Sequence, residues 1–169
     1  SLEDNVVTLK KDALSSKVTV NGGYEFNFDS GDYKKTLITG SASKDLITSN
    51  GKNLSINGGK GNDTIKVSGS ATTVTGGAGN DSISSNGKGN VFVYAKGNGK
   101  DVITGFSEND TLKITSGTPK ITTNGNDVIF KIDKGKVTLK NAKGKSVTYI
   151  AANGVEYTYP ETLKFNKKV

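Results

Sequence analysis

The chain carries an apolar residue at every ninth position through its middle third. These residues are Ile47, Ile56, Ile65, Val74, Ile83 and Phe92. On the same register, Asp45, Asp63 and Asp81 recur at intervals of 18 residues. A fixed short period is typical of solenoids, in which each repeat buries its apolar face only by stacking on its neighbours. The spacing therefore predicts a stack of equivalent coils with acidic residues aligned along it.

Each coil is expected to contain two unlike nine-residue units, counted from Gly40. The eighth position of every unit is apolar, whereas the sixth is Asp in the odd units and Leu54, Thr72 or Asn90 in the even units. The β-branched and aromatic residues at the eighth position favour strands, and the glycines supply the positive φ that sharp turns need. One coil is thus a turn, a short strand, a second turn and a second strand.

The periodic pattern defines a predicted roll over residues 40–117. Beyond a two-residue insertion, the apolar step continues at Ile103, Leu112 and Ile121. Residues 1–39 are interpreted as a degenerate first coil with an N-terminal cap, because Val20 and Ile38 keep the register but Asp29 interrupts it. A cap is expected there because the open end of a solenoid exposes strand edges and core.

Residues 118–169 have a different pattern and are predicted to close the C-terminal end of the roll. Turn-forming clusters separate short alternating segments, a spacing typical of antiparallel hairpins or a meander. The predicted strands are Val128–Ile132, Lys136–Lys140, Ser146–Ile150 and Val155–Tyr159. No segment shows a helical period. The expected fold class is therefore all-β, a parallel β-roll with an N-terminal cap and a C-terminal antiparallel cap.

The composition narrows the chemistry that is open to the chain. It contains no His and no Cys, so the usual nucleophile–base pairs and the usual zinc ligands are missing. Only oxygen ligands remain, and these suit hard cations such as calcium. We therefore expect no catalytic residues. No apolar run is long enough for a membrane span, and no signal-peptide pattern opens the chain. The first residue is Ser1 rather than Met, which suggests a processed protein or a piece of a longer one.

Two turns carry the most specific motif of the sequence. Residues 58–66 read GGKGNDTIK and residues 76–84 read GGAGNDSIS. Both resemble the repeats of the RTX, or hemolysin-type, calcium-binding proteins that bacteria secrete. Residues 91–114 are similar to the closing segment of such repeat blocks. The resemblance implies a right-handed parallel β-roll, Ca²⁺ bound between successive turns, and a place outside the cell or at its surface after type I secretion.

The resemblance also implies a set of calcium ligands. The ligands of one complete site would be the carboxylates of Asp63 and Asp81 and the carbonyl oxygens of Gly58, Lys60, Gly77 and Gly79. Flanking sites would pair Asp45 with Asp63, and Asp81 with Asp101. The physics agrees, because carboxylates stacked about 4.8 Å apart repel one another unless a divalent cation lies between them.

A solenoid that needs no metal is the alternative interpretation. The even side turns without Asp at the sixth position until Asp110, and the Asn-Asp pairs also suit Asx-turns. RTX blocks are usually acidic, whereas this chain has a net charge of +7. Lys44, Lys60 and Lys100 lie within or beside the turns and would weaken calcium binding by repulsion, although lysine stems can turn outward. We expect one row of calcium ions with modest affinity.

The positive charge is concentrated near the C-terminus. Residues 112–169 contain 11 Lys and 4 acidic residues, and the chain has no Arg. This segment is either a solvated face or a contact for an anionic polysaccharide or cell surface. Without Arg, nucleic acid is not an expected partner. The aromatic residues nearby are interpreted as strand core or cap, with a sugar-stacking platform as the alternative; they are Tyr149, Tyr157, Tyr159 and Phe165.

The sequence as a whole favours a non-catalytic calcium-binding module, either a monomer or part of a longer chain. The expected mechanism is coupled folding and binding, in which the metal locks the coils once the chain reaches a calcium-rich medium. An adhesion or carbohydrate-binding module with the roll as its scaffold is the second hypothesis. An accessory segment of a larger enzyme or toxin is the third.

Overall fold

The described part of the chain is built from β-strands. The computed structural model describes residues 6–9, 17–19, 25–28, 30–33 and 36–160. Within these residues no helix is present that would be long and apolar enough to cross a membrane. In chain order the strands are β1 (Val6–Leu9), β2 (Lys17–Thr19), β3 (Glu25–Phe28), β4 (Leu37–Thr39), β5 (Leu46–Ser49), β6 (Ser55–Lys60), β7 (Thr64–Val67), β8 (Thr73–Ala78), β9 (Ser82–Ser85), β10 (Val91–Tyr94), β11 (Lys100–Thr104), β12 (Thr111–Ile114), β13 (Lys120–Asn124), β14 (Asp127–Ile132), β15 (Gly135–Leu139), β16 (Val147–Ile150) and β17 (Glu156–Tyr159).

Successive strands of the roll alternate between two sheets. One sheet has the order β1-β3-β5-β7-β9-β11-β15-β14-β13, and the other has the order β17-β16-β12-β10-β8-β6-β4-β2. Neighbours within the roll pair in parallel one coil apart, so that Ile47 lies beside Ile65 and Ile65 lies beside Ile83. This register is the one that the 18-residue repeat requires. The predicted all-β parallel roll with antiparallel strands at its C-terminal end is confirmed.

The apolar residues of the nine-residue period form the interior between the two sheets. At most 3% of the surface is exposed at each of Ile47, Ile56, Ile65, Val74, Ile83 and Phe92. Ile103 and Leu112 are also buried, and the partly buried Ile121 packs against the hydrophobic core. Full burial of one such side chain contributes roughly 1.5–3 kcal/mol. The stacking of coils, rather than any single coil, therefore stabilises the fold.

Two rows of buried residues from the sixth position flank this interior. The first row, called the Asp row, consists of Asp45, Asp63, Asp81 and Asp101. The second, called the opposite row, consists of Leu54, Thr72, Asn90 and Asp110. Every member of both rows is at most 3% exposed. The two rows differ in chemistry because the sixth position is Asp in every odd unit but Leu, Thr, Asn and then Asp in the even units.

The parallel sheets extend into the N-terminal part of the chain. In one sheet β1 pairs with β3 and β3 pairs with β5, and in the other β2 pairs with β4 and β4 pairs with β6, all in parallel. Ile38 in β4 is fully buried and lies beside Ile56. Val20 and Asp29 lie outside the described residues. The described strands before residue 40 therefore belong to the same two sheets as the roll.

Antiparallel strands complete both sheets at the C-terminal end. β13, β14 and β15 form a meander, and β16 and β17 form a hairpin. β15 also pairs in parallel with β11, and β16 with β12, so the parallel sheets continue beyond residue 117. The bounds of β14 to β17 lie within one residue of the predicted strands. β13 was not predicted, because its Thr-rich sequence lacks a clear alternation of apolar and polar residues.

The tyrosines near the C-terminus pack within the cap. Tyr149 and Tyr159 lie against the hydrophobic core. The ring of Tyr149 stacks on that of Tyr157 and meets Phe130 edge-on, with centroids 5.2 Å apart in both pairs. These contacts agree with the interpretation of the tyrosines as strand core and cap. Phe165 lies outside the described residues.

Candidate metal centre

Hydrogen bonds from backbone to side chain connect the members of the Asp row. The Asp45 and Asp63 N–H groups donate to the Oδ1 atoms of Asp63 and Asp81, each at 2.8 Å. The Asp81 N–H donates to Asp101 Oδ1 at 3.0 Å. The repeat produces this ladder, because it places each carboxylate beside the N–H of the Asp one coil earlier. Each linked carboxylate therefore has one oxygen engaged in the fold and a second oxygen left over.

The second oxygen of the two central carboxylates has no partner. Asp63 Oδ2 and Asp81 Oδ2 are buried and accept no hydrogen bond, and the same holds for Asp45 Oδ1. An unpaired oxygen of a buried carboxylate is destabilising, because the water that solvated it is removed and nothing replaces that interaction. A regular series of such atoms therefore points to a site for a cation.

Glycines adjoin the unpaired oxygens. A Cβ at Gly58 would collide with both Asp63 Oδ2 and the carbonyl oxygen of Gly76, and a Cβ at Gly76 would collide with Asp81 Oδ2. A carboxylate and a carbonyl oxygen from successive coils thus converge on a space that only glycine leaves open. Calcium prefers mixed oxygen ligands of this kind. Gly76, the equivalent of Gly58 in the next repeat, was not among the predicted ligands.

The opposite row has the same ladder but no unpaired carboxylate oxygen. The Thr72 N–H donates to Asn90 Oδ1 at 2.9 Å, and the Asn90 N–H donates to Asp110 Oδ1 at 2.8 Å. Asn90 Nδ2 donates to the Gly69 carbonyl oxygen at 3.2 Å. Asp110 Oδ2 accepts from the backbone N–H and the hydroxyl of Ser107, at 2.9 and 2.8 Å. The fold therefore satisfies this side of the coil with its own donors.

The two ends of the Asp row differ from its centre. At one end, the N–H and hydroxyl of Ser41 donate to Asp45 Oδ2 at 2.7 and 3.0 Å. At the other end, the buried Tyr94 donates from its hydroxyl to the Gly99 carbonyl oxygen at 2.6 Å. Asp45 keeps one unpaired oxygen, but Ser41 engages its other oxygen, and the Tyr94 hydroxyl already engages the Gly99 carbonyl near Asp101. The Asp63–Asp81 pair is therefore the most complete candidate site.

The predicted carbonyl ligands face more than one gap between coils. The Gly58 carbonyl oxygen lies against Gly40 of the preceding coil, and the Gly79 carbonyl oxygen lies against Gly99 of the following coil. These two carbonyls therefore adjoin the two flanking pairs of the Asp row. The Gly76 carbonyl oxygen adjoins the central gap, because a Cβ at Gly58 would meet both this oxygen and Asp63 Oδ2.

The remaining predicted residues lie in the stacked turns themselves. Gly77 has a φ of +107° and packs against the carbonyl oxygen of Gly59, while Lys60 pairs with Ala78 of the next coil. The side chain of Lys60 is exposed, as are those of Lys44 and Lys100. The three lysines are thus turned away from the Asp row, which limits their repulsion of a cation.

Burial raises the pKa values of the carboxyls in the Asp row. Desolvation raises the pKa of Asp63 from 3.8 to about 7, and the charges of Asp81 and Asp45 add to this. Desolvation also raises the pKa of Asp101 to about 7, with a further contribution from the charge of Asp81, and it raises the pKa of Asp81. Near neutral pH these carboxyls therefore still bind protons, and a bound cation would displace those protons.

The donor set of the Asp row fits a hard cation. Within the described ranges, no group of three acidic side chains comes together in a form that could hold a metal. A cation between two coils would therefore be held by one or two carboxylates and by backbone carbonyl oxygens. Oxygen donors alone suit calcium rather than zinc, which is bound mainly through nitrogen and sulfur. The low number of carboxylates favours modest affinity.

The metal-free protein is expected to lose stability as the pH rises from about 4 to about 7. The folded chain retains protons on Asp63 and Asp101 up to about pH 7, whereas the unfolded chain releases them near 3.8. Because the folded state binds more protons in this window, the free energy of unfolding falls with pH and then levels off. Denaturant unfolding in chelator at pH 5 and pH 8 measures the difference.

The absence of His and Cys makes this experiment specific. Few other groups titrate between pH 5 and pH 8 in such a chain. The pKa of Asp127 is lowered, mainly by its hydrogen bond with Lys140, so its contribution to stability is constant between pH 5 and pH 8 and changes with pH only below about 3.8. An Asp63→Asn/Asp101→Asn variant should show a flatter profile. Equal or greater stability of the metal-free wild type at pH 8 would contradict the prediction.

Comparison with known proteins found similarity at the level of structure. No family model matches the chain, and no curated protein matches it. Among solved structures, the chain is similar to the extracellular lipase LipA from Serratia marcescens, with 15% sequence identity and a TM-score of 0.46. The match covers 74% of this chain and 35% of the lipase, so the chain spans about a third of the length of that protein.

Proposed function

We propose that this chain is a non-catalytic calcium-binding β-roll module. The observation that carries the proposal is the asymmetry between the two rows of the roll. The opposite row satisfies its side-chain oxygens, whereas the Asp row leaves Asp45 Oδ1, Asp63 Oδ2 and Asp81 Oδ2 buried and unpaired. The resemblance of residues 58–66 and 76–84 to RTX repeats supports calcium as the cation.

Asp63 and Asp81 would hold the ion at the centre of the row, with the Gly76 carbonyl oxygen beside Asp63. When bound, the calcium ion would supply positive charge that offsets the negative charge of the buried carboxylates. The residues of the chain position the oxygens: Oδ1 of each linked carboxylate fixes the side chain to the preceding coil, and glycine keeps the space open. Because the ligands come from different coils, binding is coupled to stacking.

The proposal includes a function outside the cell or at its surface. Calcium is scarce in the cytoplasm, where the Asp row would retain its electrostatic penalty and the coils would stack less firmly. In a calcium-rich medium, the ion would stabilise the stacked state by mass action. The module would then serve as a calcium-dependent structural element of a secreted or surface protein, with any catalytic activity belonging to other parts of that protein.

A calcium titration followed by calorimetry and thermal unfolding tests the proposal. We expect a saturable heat and a rise in melting temperature, since a ligand at 100 times its dissociation constant contributes about 2.7 kcal/mol. Magnesium is the matched control, because it demands a compact octahedral shell and loses its water reluctantly. A protein equally stable in calcium and in excess chelator, with no heat of binding, would refute the proposal.

A further inference from the structure

Four lysines lie side by side across four neighbouring strands at the C-terminal end of the nine-stranded sheet. Lys100 in β11 lies beside Lys136 in β15, which lies beside Lys131 in β14, which in turn lies beside Lys120 in β13. With about 4.8 Å between strands, this lysine row is roughly 14 Å long. Because strands stack along the roll, the row runs parallel to the axis of the roll.

All four side chains belong to the outer face of the sheet. The residues next to them along the strands, among them Asp101, Phe130 and Val137, are buried in the interior. Lys100, Lys120 and Lys131 are exposed, and Lys136 is half-buried. A second row of small or branched side chains lies beside the lysines on the same side of the sheet, two residues away along each strand. It consists of Val102, Thr138, Ile129 and Thr122.

No carboxylate neutralises this row in the part of the chain that the structure describes. The ion pairs found there are Lys96 with Asp133 at 3.4 Å and Lys140 with Asp127 at 2.6 Å. Asp133 lies in the turn between β14 and β15 and so near the row, but it pairs with Lys96. Like charges directly opposite one another destabilise a sheet. The fold thus holds four positive charges in a line, and an anionic partner would reduce the repulsion between them.

We propose that the lysine row binds a linear acidic polysaccharide laid along the axis of the roll. A chain of sugars with regularly spaced carboxylate or sulfate groups complements a straight row of ammonium groups, and the partly exposed Thr122 continues the same face. The row contains no Arg for bidentate contacts with phosphate and no aromatic residue on which bases could stack, so nucleic acid fits it less well. Lys100 adjoins Asp101 in sequence, but the lysine is exposed on the outer face and Asp101 is buried inside, so the proposal does not rest on calcium binding at the Asp row.

Retention of the folded protein on immobilised heparin and hyaluronate, with neutral dextran as the blank, tests this proposal. The test variant is Lys131→Gln/Lys136→Gln, which removes the centre of the row. The matched control is Lys66→Gln/Lys113→Gln, which removes the same charge from exposed positions in β7 and β12. We expect the test variant to bind about tenfold more weakly than wild type, as two lost charge contacts imply, and the control to bind nearly as well as wild type.

Three outcomes would overturn the proposal. Equal losses in the test and control variants would mean that net charge alone attracts the polysaccharide, and no retention at low ionic strength would mean that it does not bind. Tighter, row-dependent binding to a single-stranded oligonucleotide would assign the row to nucleic acid instead. Loss of the fold is not expected to confuse the result, because removing like charges from neighbouring strands should preserve or raise the melting temperature.

Discussion

Asp63→Asn/Asp81→Asn is expected to abolish the calcium response while making the metal-free protein more stable than wild type. An asparagine retains an oxygen that can accept the N–H of the preceding coil, as Asn90 does on the opposite side. The substitution removes the buried charges whose desolvation raises the pKa of Asp63 to about 7. At pH 8 the gain for the metal-free protein could reach about 4 kcal/mol, the equivalent of roughly three pKa units.

Thermal unfolding with calcium and with chelator measures both effects at once. Asp110→Asn is the matched control, because it makes the same chemical change in the opposite row. Asp110 Oδ2 accepts two hydrogen bonds from Ser107. The NH₂ group of an asparagine in that place could not accept them, because it is itself a donor. Asp110→Asn should therefore lower the melting temperature and leave the calcium response intact. A calcium response that survives in the double variant, or that is lost in Asp110→Asn, would remove the Asp row as the binding site.

The repeat allowed the roll to be predicted because it is a local property of the chain. Stacked coils are one of the few folds that can bury an apolar residue at every ninth position, and the six such residues between positions 47 and 92 are all buried as expected. The same step aligns Asp63 with Asp81, so the ladder between them follows from the sequence. Their pairing depends on spacing alone and not on any contact between distant segments.

Features that depend on contacts between different repeats could not be predicted in this way. The turn motif indicated which glycines are needed but not which gap each carbonyl faces, and so Gly76 was not identified as a neighbour of Asp63 Oδ2. The parallel pairing of β15 with β11 joins segments that share no motif. That pairing also brings Lys100 to Lys136, and a count of charges in the C-terminal third could not reveal the row that results.

Gly77→Ala is expected to destabilise the roll severely. Gly77 has a φ of +107°, and a Cβ there would collide with the carbonyl oxygen of Gly59 one coil earlier. The backbone conformation alone costs an alanine about 1–2 kcal/mol. The collision adds to this cost, because it is with backbone and can be relieved only by separating two coils. We expect a total loss above about 3 kcal/mol, together with loss of calcium binding at the adjoining site.

Gly97→Ala separates these two contributions. Gly97 has a similar φ of +93°, but a Cβ there would meet nothing within 4 Å. Its substitution should cost only the conformational part, about 1–2 kcal/mol. Urea unfolding of both variants in calcium and in chelator compares them directly. If Gly97→Ala were as damaging as Gly77→Ala, the glycines would be needed for their backbone angles alone; a clear difference would show that the direct contact between coils limits the residue at this position.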